Sequence, residues 1–329
     1  MMNKHAKSPC CWAPVRRYGQ RRRQCRQCHQ TWSVRKKKRG RDRKRLWPET
    51  LVKYFNGDFV SLAREAKRRR LHESSLRRRL RQTATQLVTH PRWPTPRPGP
   101  IIVLADAIVK RIRGRWYSGY FVAMKGVTET TATLLPPVIL PDRESHRGWQ
   151  RVLNSIPDQL WRKVVATVSD GHRGIVDYAH ATKVKVQRCQ AHLLMAIEGR
   201  RSTSQWSRHR PEGQQLRTLA KIIFQTQEAT ELVRTLATVE ELGWQTKSVQ
   251  LKKIISGFLS AVGEYRTCLN YPELNIPATN NALESFISQW QELAHRAHGF
   301  ASVSAWQIWL TAFAKTKKKI TCNGFHPQN

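Results

Sequence analysis

The sequence predicts an α/β protein: a mixed sheet flanked by helices and interrupted by an all-helical insertion, behind a small basic region. Three observations carry that expectation. Five prolines fall within Pro91–Pro100, a stretch that can continue neither a helix nor a central strand and so divides front from body. Beyond it, apolar β-rich runs give way to helix-spaced ones. The front is also far more basic than the body: residues 1–100 hold 29 Lys/Arg against 5 Asp/Glu, and the remainder hold 30 against 17. The expected layout is a cysteine-bearing basic region over 1–46, a helical unit over 47–90, a linker over 91–100 and a body over 101–329 with its insertion at about 200–275.

The formal charge of +37 on 329 residues argues against a charge-balanced enzyme of small metabolites. It points to a polyanion, nucleic acid ahead of an anionic membrane surface. No stretch nears the ~18 apolar residues of a membrane span, and Met1–Pro9 lacks the apolar core of a secretion signal. Seven cysteines, an odd number without such a signal, fit a reducing cytosol. The expected location is therefore cytoplasmic.

In the front, Cys25-Arg-Gln-Cys28 has the gap that lets two thiolates reach one tetrahedral Zn²⁺ from a tight turn. Upstream stands Ser8-Pro-Cys10-Cys11, as though the first ligand of a zinc ribbon had become Ser8. The candidate zinc ligands are Cys11, Cys25 and Cys28, with Cys10, His5 or His29 as the fourth; a ribbon remnant without metal is the alternative. Gln30–Arg35 reads as a closing strand, and Lys36, Lys37, Lys38 and Arg39 as a phosphate-binding run.

Over residues 48–88, Leu51, Val52 and Phe55 share one helical face that Asn56-Gly57 ends. Leu62 and Ala66 mark a second helix, and Leu76, Leu80 and Leu87 a third. The second and third resemble a helix-turn-helix with Arg77, Arg78, Arg79 and Arg81 around the recognition helix, although Arg70 stands where such turns often carry Gly. A basic surface that binds phosphates without reading bases is the competing interpretation.

In the body, Ile101–Leu104, Tyr117–Met124 and Thr131–Val138 read as strands and Ser145–Ser155 as a helix. Val164–Val168 and Val184–Val186 read as buried strands, Ile175–Ala179 and Cys189–Ile197 as helices. Three strands, a helix, then alternating strand and helix is the order of the ribonuclease H-like fold. Residues 212–225, 228–241 and 247–265 are helix-like. Trp206, Trp244, Trp290, Trp306 and Trp309 are expected in the core, with those of the insertion also able to stack on an extruded base. Lys315, Lys317, Lys318 and Lys319 suit backbone phosphate or a solvated tail.

Asp106 and Asp170 are each expected just past the end of an apolar strand, where a buried carboxylate needs a cation or donors. Each alone is more often a turn or cap residue; neighbouring strand ends would bring the two together. Glu284 lies about one turn into a helix that Thr279 or Asn280 could cap, near Asn280 and Asn281 on the surface. Three oxygen donors suit Mg²⁺ or Mn²⁺, and two such ions can clamp both oxygens of an in-line phosphoryl transfer.

Asp106, Ser169-Asp170-Gly171, Cys189-Gln-Ala-His192 and Asn280-Asn281-Ala-Leu-Glu284, in that order and spacing, resemble the DDE transposases of bacterial insertion sequences, specifically the Mutator-like group. The resemblance covers 101 to about 315. It implies that Asp106, Asp170 and Glu284 hold two Mg²⁺ or Mn²⁺ ions, and that Cys189 and His192 orient the Glu284 helix or touch DNA, with Asn280 and Asn281 supporting the site. It implies nicking at element ends, then attack of the freed 3′-hydroxyl on target DNA by a dimer or larger assembly, with double-stranded DNA as partner and no small-molecule substrate. Ser288 departs from the Asn of many relatives. The alternative function is a transposase-derived DNA-binding protein that has lost catalysis.

Overall fold

The computed structural model describes residues 10–11, 13–18, 22–33, 41–59, 61–89, 99–199, 210–297, 300 and 302–322. His5, Ser8, Lys36, Lys37, Lys38, Arg39, most of the proline run and Trp206 lie outside them. The chain forms two compact units, Met1–Thr83 and Ala84–Asn329.

In the first unit, β1 (Val15–Arg17), β2 (Arg22–Cys25) and β3 (Thr31–Ser33) make an antiparallel sheet in that order. Three helices follow: α1 (Arg41–Asn56), α2 (Leu62–Arg68) and α3 (Glu73–Val88), the last crossing into the second unit. Helix α1 begins ahead of the expected 47 and carries Pro48 within it. Leu51, Phe55, Ala66, Leu76 and Leu80 are buried. Val52 and Leu87, expected on the inner faces, are instead exposed, with Tyr54 and Ala84 taking the inward positions. Ser61 caps α2 by accepting from the Arg64 amide at 3.2 Å. Arg70 adopts φ 55° between α2 and α3, so the position where Gly was the expected residue does demand the left-handed backbone that glycine supplies most cheaply.

The second unit is built on a seven-stranded mixed sheet. Its strands are β4 (Ile101–Ile112), β5 (Arg115–Gly126), β6 (Thr131–Leu134), β7 (Val138–Leu140), β8 (Val164–Ser169), β9 (Lys185–Arg188) and β10 (Lys319–Thr321). The order is β10-β6-β5-β4-β8-β9, with β7 on β5; β4, β5, β6 and β10 pair antiparallel, while β4, β8 and β9 pair parallel. Strands β4 and β5 run longer than the apolar patches suggested. Arg113 and Gly114, both at positive φ, make the two-residue turn that matches strand twist and lets the hairpin extend through polar residues. The edge strand β10 was not anticipated.

Helices α4 (His146–Asn154), α5 (Asp158–Trp161) and α6 (Arg173–Ala181) pack their apolar residues onto one sheet face. Trp149, Val152, Leu153 and Ile175 meet Val103, Ala105, Tyr120 and Val122 there. Strand residues alternate between faces, so Leu104, Asp106 and Ile108 point the other way. On that side lie α13 (Asn281–Arg296) and α14 (Val303–Lys317), with Phe286 packing edge-on to Phe121 at 5.9 Å and against Phe313 at 5.1 Å.

Between sheet and α13 the chain makes α7 (Gln190–Ile197), α8 (Arg210–Gln225), α9 (Ala229–Gln245), α10 (Val249–Leu259), α11 (Val262–Tyr265) and α12 (Thr267–Asn270). The helix expected over 247–265 breaks after Leu259. This insertion has its own core of Leu216, Ala220, Ile223, Val239, Leu251, Ile255 and Phe258, joined by Leu193 and Ile197 of α7. Trp290 and Trp306 are buried, Trp309 is half-buried, and Trp244, expected in the core, is 79% exposed. Among the described residues no helix is long and apolar enough to cross a membrane.

Candidate active site and metal-binding clusters

Register brings the two aspartates together. Leu104 on β4 pairs with Val168 on β8 in parallel, so Asp106 and Asp170 each stand two residues beyond that pair, on strands ~4.8 Å apart. Asp170 follows the last residue of β8, as expected, but Asp106 does not follow the end of β4. It lies at mid-strand opposite Phe121, because β4 continues with β5 after its parallel pairing with β8 has stopped.

The Asp106 carboxyl is half-buried, and burial, with the charges of Asp170, Glu284 and Glu144 acting against it, pushes its pKa up to about 7. The Ala107 amide donates to Asp106 Oδ1 at 2.8 Å and opposes part of that shift. Asp170 Oδ1 accepts from the His172 amide at 2.9 Å. Between them Gly171 adopts φ 90°, and a Cβ there would come within 2.9 Å of the Arg188 side chain. The Ser-Asp-Gly turn thus needs glycine for both backbone and space.

Glu284 sits in the first turn of α13. Asn280 holds the N-cap position but makes no capping bond with its side chain. It is fully buried, and its amide donates to the Ala105 carbonyl at 3.1 Å and lies 3.5 Å from Asp106 Oδ2. Surface placement therefore fails for Asn280 and holds for Asn281, which is exposed. Asn280 Oδ1 is buried with no hydrogen-bond partner.

The Cys-Gln-Ala-His segment ties α7 to the start of α13. Cys189 is buried; its Sγ accepts from the Asn280 amide at 3.2 Å and lies 3.6 Å from Glu284 Oε1. The Gln190 amide donates to the Ala278 carbonyl at 3.0 Å. His192 Nδ1 lies 3.1 Å from Glu284 Oε1, yet its direction is wrong for a hydrogen bond. The helix expected over Cys189–Ile197 starts one residue later, with Cys189 as its N-cap residue and His192 in its first turn.

Two features escaped sequence reasoning. Glu144 contributes to the charge on Asp106 and accepts from Trp149 Nε1 at 2.7 Å; its only signal was one acid just before a predicted helix. A groove of about 530 Å³ also runs between β4 and α13, lined by Ile108, Lys110, Gln291, Ala294 and His295 among others. Asp106, Ile108 and Lys110 alternate on one strand face, and Glu284, Gln291 and His295 recur at helical spacing. The groove therefore lies farther along the two elements that carry Asp106 and Glu284.

In the first unit the sulfurs of Cys10, Cys11, Cys25 and Cys28 all lie within 4.8 Å of one another, with Cys10 Sγ 3.3 Å from Cys28 Sγ. Cys25 ends β2, and its carbonyl accepts from the His29 amide at 3.2 Å, closing the turn. His29, at φ 58°, serves that turn and is absent from the sulfur cluster. A tetrahedral Zn²⁺ sets its sulfurs ~3.8 Å apart, so four soft donors at this separation fit zinc. Contact with the Cys28 thiol pushes Cys11 up to about 12, so four thiolates need a cation to coexist.

On the candidate recognition helix, Arg77 pairs with Glu73 at 2.8 Å and Arg79 stacks over Trp47 at 5.0 Å, while Arg78 and Arg81 are exposed.

Two aspartates on neighbouring strands of a mixed sheet, in a chain of this positive charge, suit the class of protein that works on nucleic acid. The family model of the Mutator transposases matches residues 100–305. The chain belongs to the Mutator family of transposases: DNA is its partner and DNA transposition its function. No curated protein matches it.

Proposed function

We propose that the chain is a catalytically competent DDE transposase, in which Asp106, Asp170 and Glu284 hold two Mg²⁺ or Mn²⁺ ions at the ends of an insertion sequence. The observation that carries this reading is register: parallel pairing of Leu104 with Val168 sets Asp106 and Asp170 side by side, and the Asn280 side chain, bonded to the Ala105 carbonyl, ties the start of the Glu284 helix to the same strand. Asp106 is driven up to about 7 by burial and by the other acids, and cations of hard character relieve that repulsion. The order β6-β5-β4-β8-β9, antiparallel on one side and parallel on the other, supports a ribonuclease H-like body.

When bound, the ions would activate the attacking oxygen and stabilise the leaving oxygen of the phosphodiester. The chain's residues do the rest. Asp106 gives up its proton to enter the site, and the His172 amide fixes the Asp170 carboxylate. Cys189 Sγ, 3.6 Å from Glu284 Oε1, steadies Glu284 at the start of α13, with His192 beside it. Lys110, Gln291 and His295 offer donors to the strand beyond the scissile phosphate. In the front, the sulfur cluster takes one structural Zn²⁺, and α2, its turn and α3 act as a helix-turn-helix. Arg77, Arg78 and Arg81 contact DNA, while Arg79 braces the helix on Trp47. Two ends must be cut in concert, so the working form is a dimer or larger.

The test is strand transfer of a labelled element end in Mg²⁺. Wild type joins it to target DNA, whereas Asp106→Asn, Asp170→Asn and Glu284→Gln bind the end and do not join it. Full joining by any one of them overturns the three-acid assignment; binding by wild type with no cleavage under any divalent ion identifies a derivative that has lost catalysis.

A further inference from the structure

We propose that Cys189, His192 and Glu284 form a second kind of metal site, one that takes a thiophilic divalent ion such as Zn²⁺ or Cd²⁺ and withdraws Glu284 from the magnesium centre. Cys189 Sγ, a ring nitrogen of His192 and a Glu284 carboxylate oxygen all lie within 4.8 Å of one another. In a tetrahedral zinc site with ordinary bond lengths, a nitrogen and an oxygen ligand are ~3.4 Å apart and a sulfur and an oxygen ~3.6 Å. Here those separations are 3.1 Å and 3.6 Å. These two separations match to within a few tenths of an ångström, and the third is at most 4.8 Å.

The His192 nitrogen supplies the independent observation. Its side chain is nine-tenths buried, yet Nδ1 makes no hydrogen bond although a carboxylate oxygen is at hydrogen-bond distance. A cation held between that nitrogen and the carboxylate oxygen would bond to both. The donors are one sulfur, one nitrogen and one oxygen, a set that suits Zn²⁺ and not Mg²⁺, which takes oxygen almost alone. Binding replaces the Cys189 S–H bond with a sulfur–metal bond and releases the proton to solvent. The fourth position is left for water.

The functional consequence rests on the reading of Glu284 as a magnesium ligand: one carboxylate cannot serve both ions in their preferred geometries, so zinc switches the enzyme off reversibly. The metal site itself does not depend on that reading.

The direct experiment is cadmium-113 NMR on the full-length wild-type chain. The expected spectrum has a resonance from a site with one thiolate, well separated from any four-sulfur resonance of the front, and lost in Cys189→Ser. Zinc counted after equilibrium dialysis falls by one ion per chain in Cys189→Ser and in His192→Asn. In strand transfer at fixed Mg²⁺, with each protein compared only with its own zinc-free rate, half-inhibition by Zn²⁺ requires at least about tenfold more metal in either variant, since loss of a metal's outer partners alone costs that much affinity. If a variant fails to fold, the wild-type spectrum decides alone. Absence of the one-thiolate resonance from wild type, or an unchanged zinc count in both variants when folded, overturns the site. Zinc bound there without inhibition removes the switch. Zinc bound there in a chain that never joins DNA leaves the metal site standing and fails the catalytic reading.

Discussion

At the residue scale, Asp106 makes the sharpest demand. Its carboxyl is raised from 3.8 to about 7, so between these values the folded chain binds a proton that the unfolded chain has already lost. The sign follows: metal-free protein loses stability as pH rises from about 4 to 7, by a few kcal/mol at most. Asp106→Asn removes that loss, so its melting temperature without metal should exceed that of wild type at pH 8 and converge with it near pH 4. Magnesium should close the gap at pH 8 by favouring the ionised wild type. The same proton must leave before a cation binds, so apparent Mg²⁺ affinity should fall about tenfold per unit below pH 7, read by isothermal titration from pH 5.5 to 8. Asp106 was legible as a candidate because an acid interrupted an apolar run. Its setting was not, since the hairpin that carries β4 past it uses polar residues and a positive-φ turn that hydropathy does not mark.

At the element scale, α13 and β4 organise the site. Their groove predicts that Lys110→Glu weakens binding of a DNA end several-fold and reduces the salt dependence of that binding, while leaving the melting temperature close to wild type. Helix α13 was visible from its apolar spacing and Glu284 from its motif. Asn280 does stand at the N-cap, where Asn usually caps through its side-chain oxygen, but here burial turns its Nδ2 inward to donate to the Ala105 carbonyl and leaves Oδ1 off the helix's own amides. The sulfur cluster makes the complementary case. Spacing alone left the fourth ligand open, and only the sheet that folds Cys10 and Cys11 back against the Cys25–Cys28 turn resolves which side chains meet. Removing zinc with a chelator, or Cys25→Ser, should unfold β1–β3 without melting the body, seen as loss of their amide signals alone.

At the scale of the whole molecule, the proposed function divides the charge of +37 between a front that would hold DNA and a body that would cut it. Each phosphate contact contributes about 0.9 to the slope of log affinity against log salt. The double replacement Arg77→Gln, Arg78→Gln should lower that slope by about 2 if both touch phosphate; loss of preference for the end sequence with a smaller change in slope would mean that they read bases instead. The insertion was legible as helices and its interruption at Ser260 was not, because the break serves packing of Tyr265 against Phe224 and Phe258 rather than any Gly or Pro. The central claim is that three distant acids converge to hold the catalytic ions. Its most direct measurement is the number of Mn²⁺ ions bound per active site on a nicked element end, counted by electron paramagnetic resonance. Two are expected in wild type and at most one in each of Asp106→Asn, Asp170→Asn and Glu284→Gln; two ions retained in any of these variants would rule out a three-acid centre.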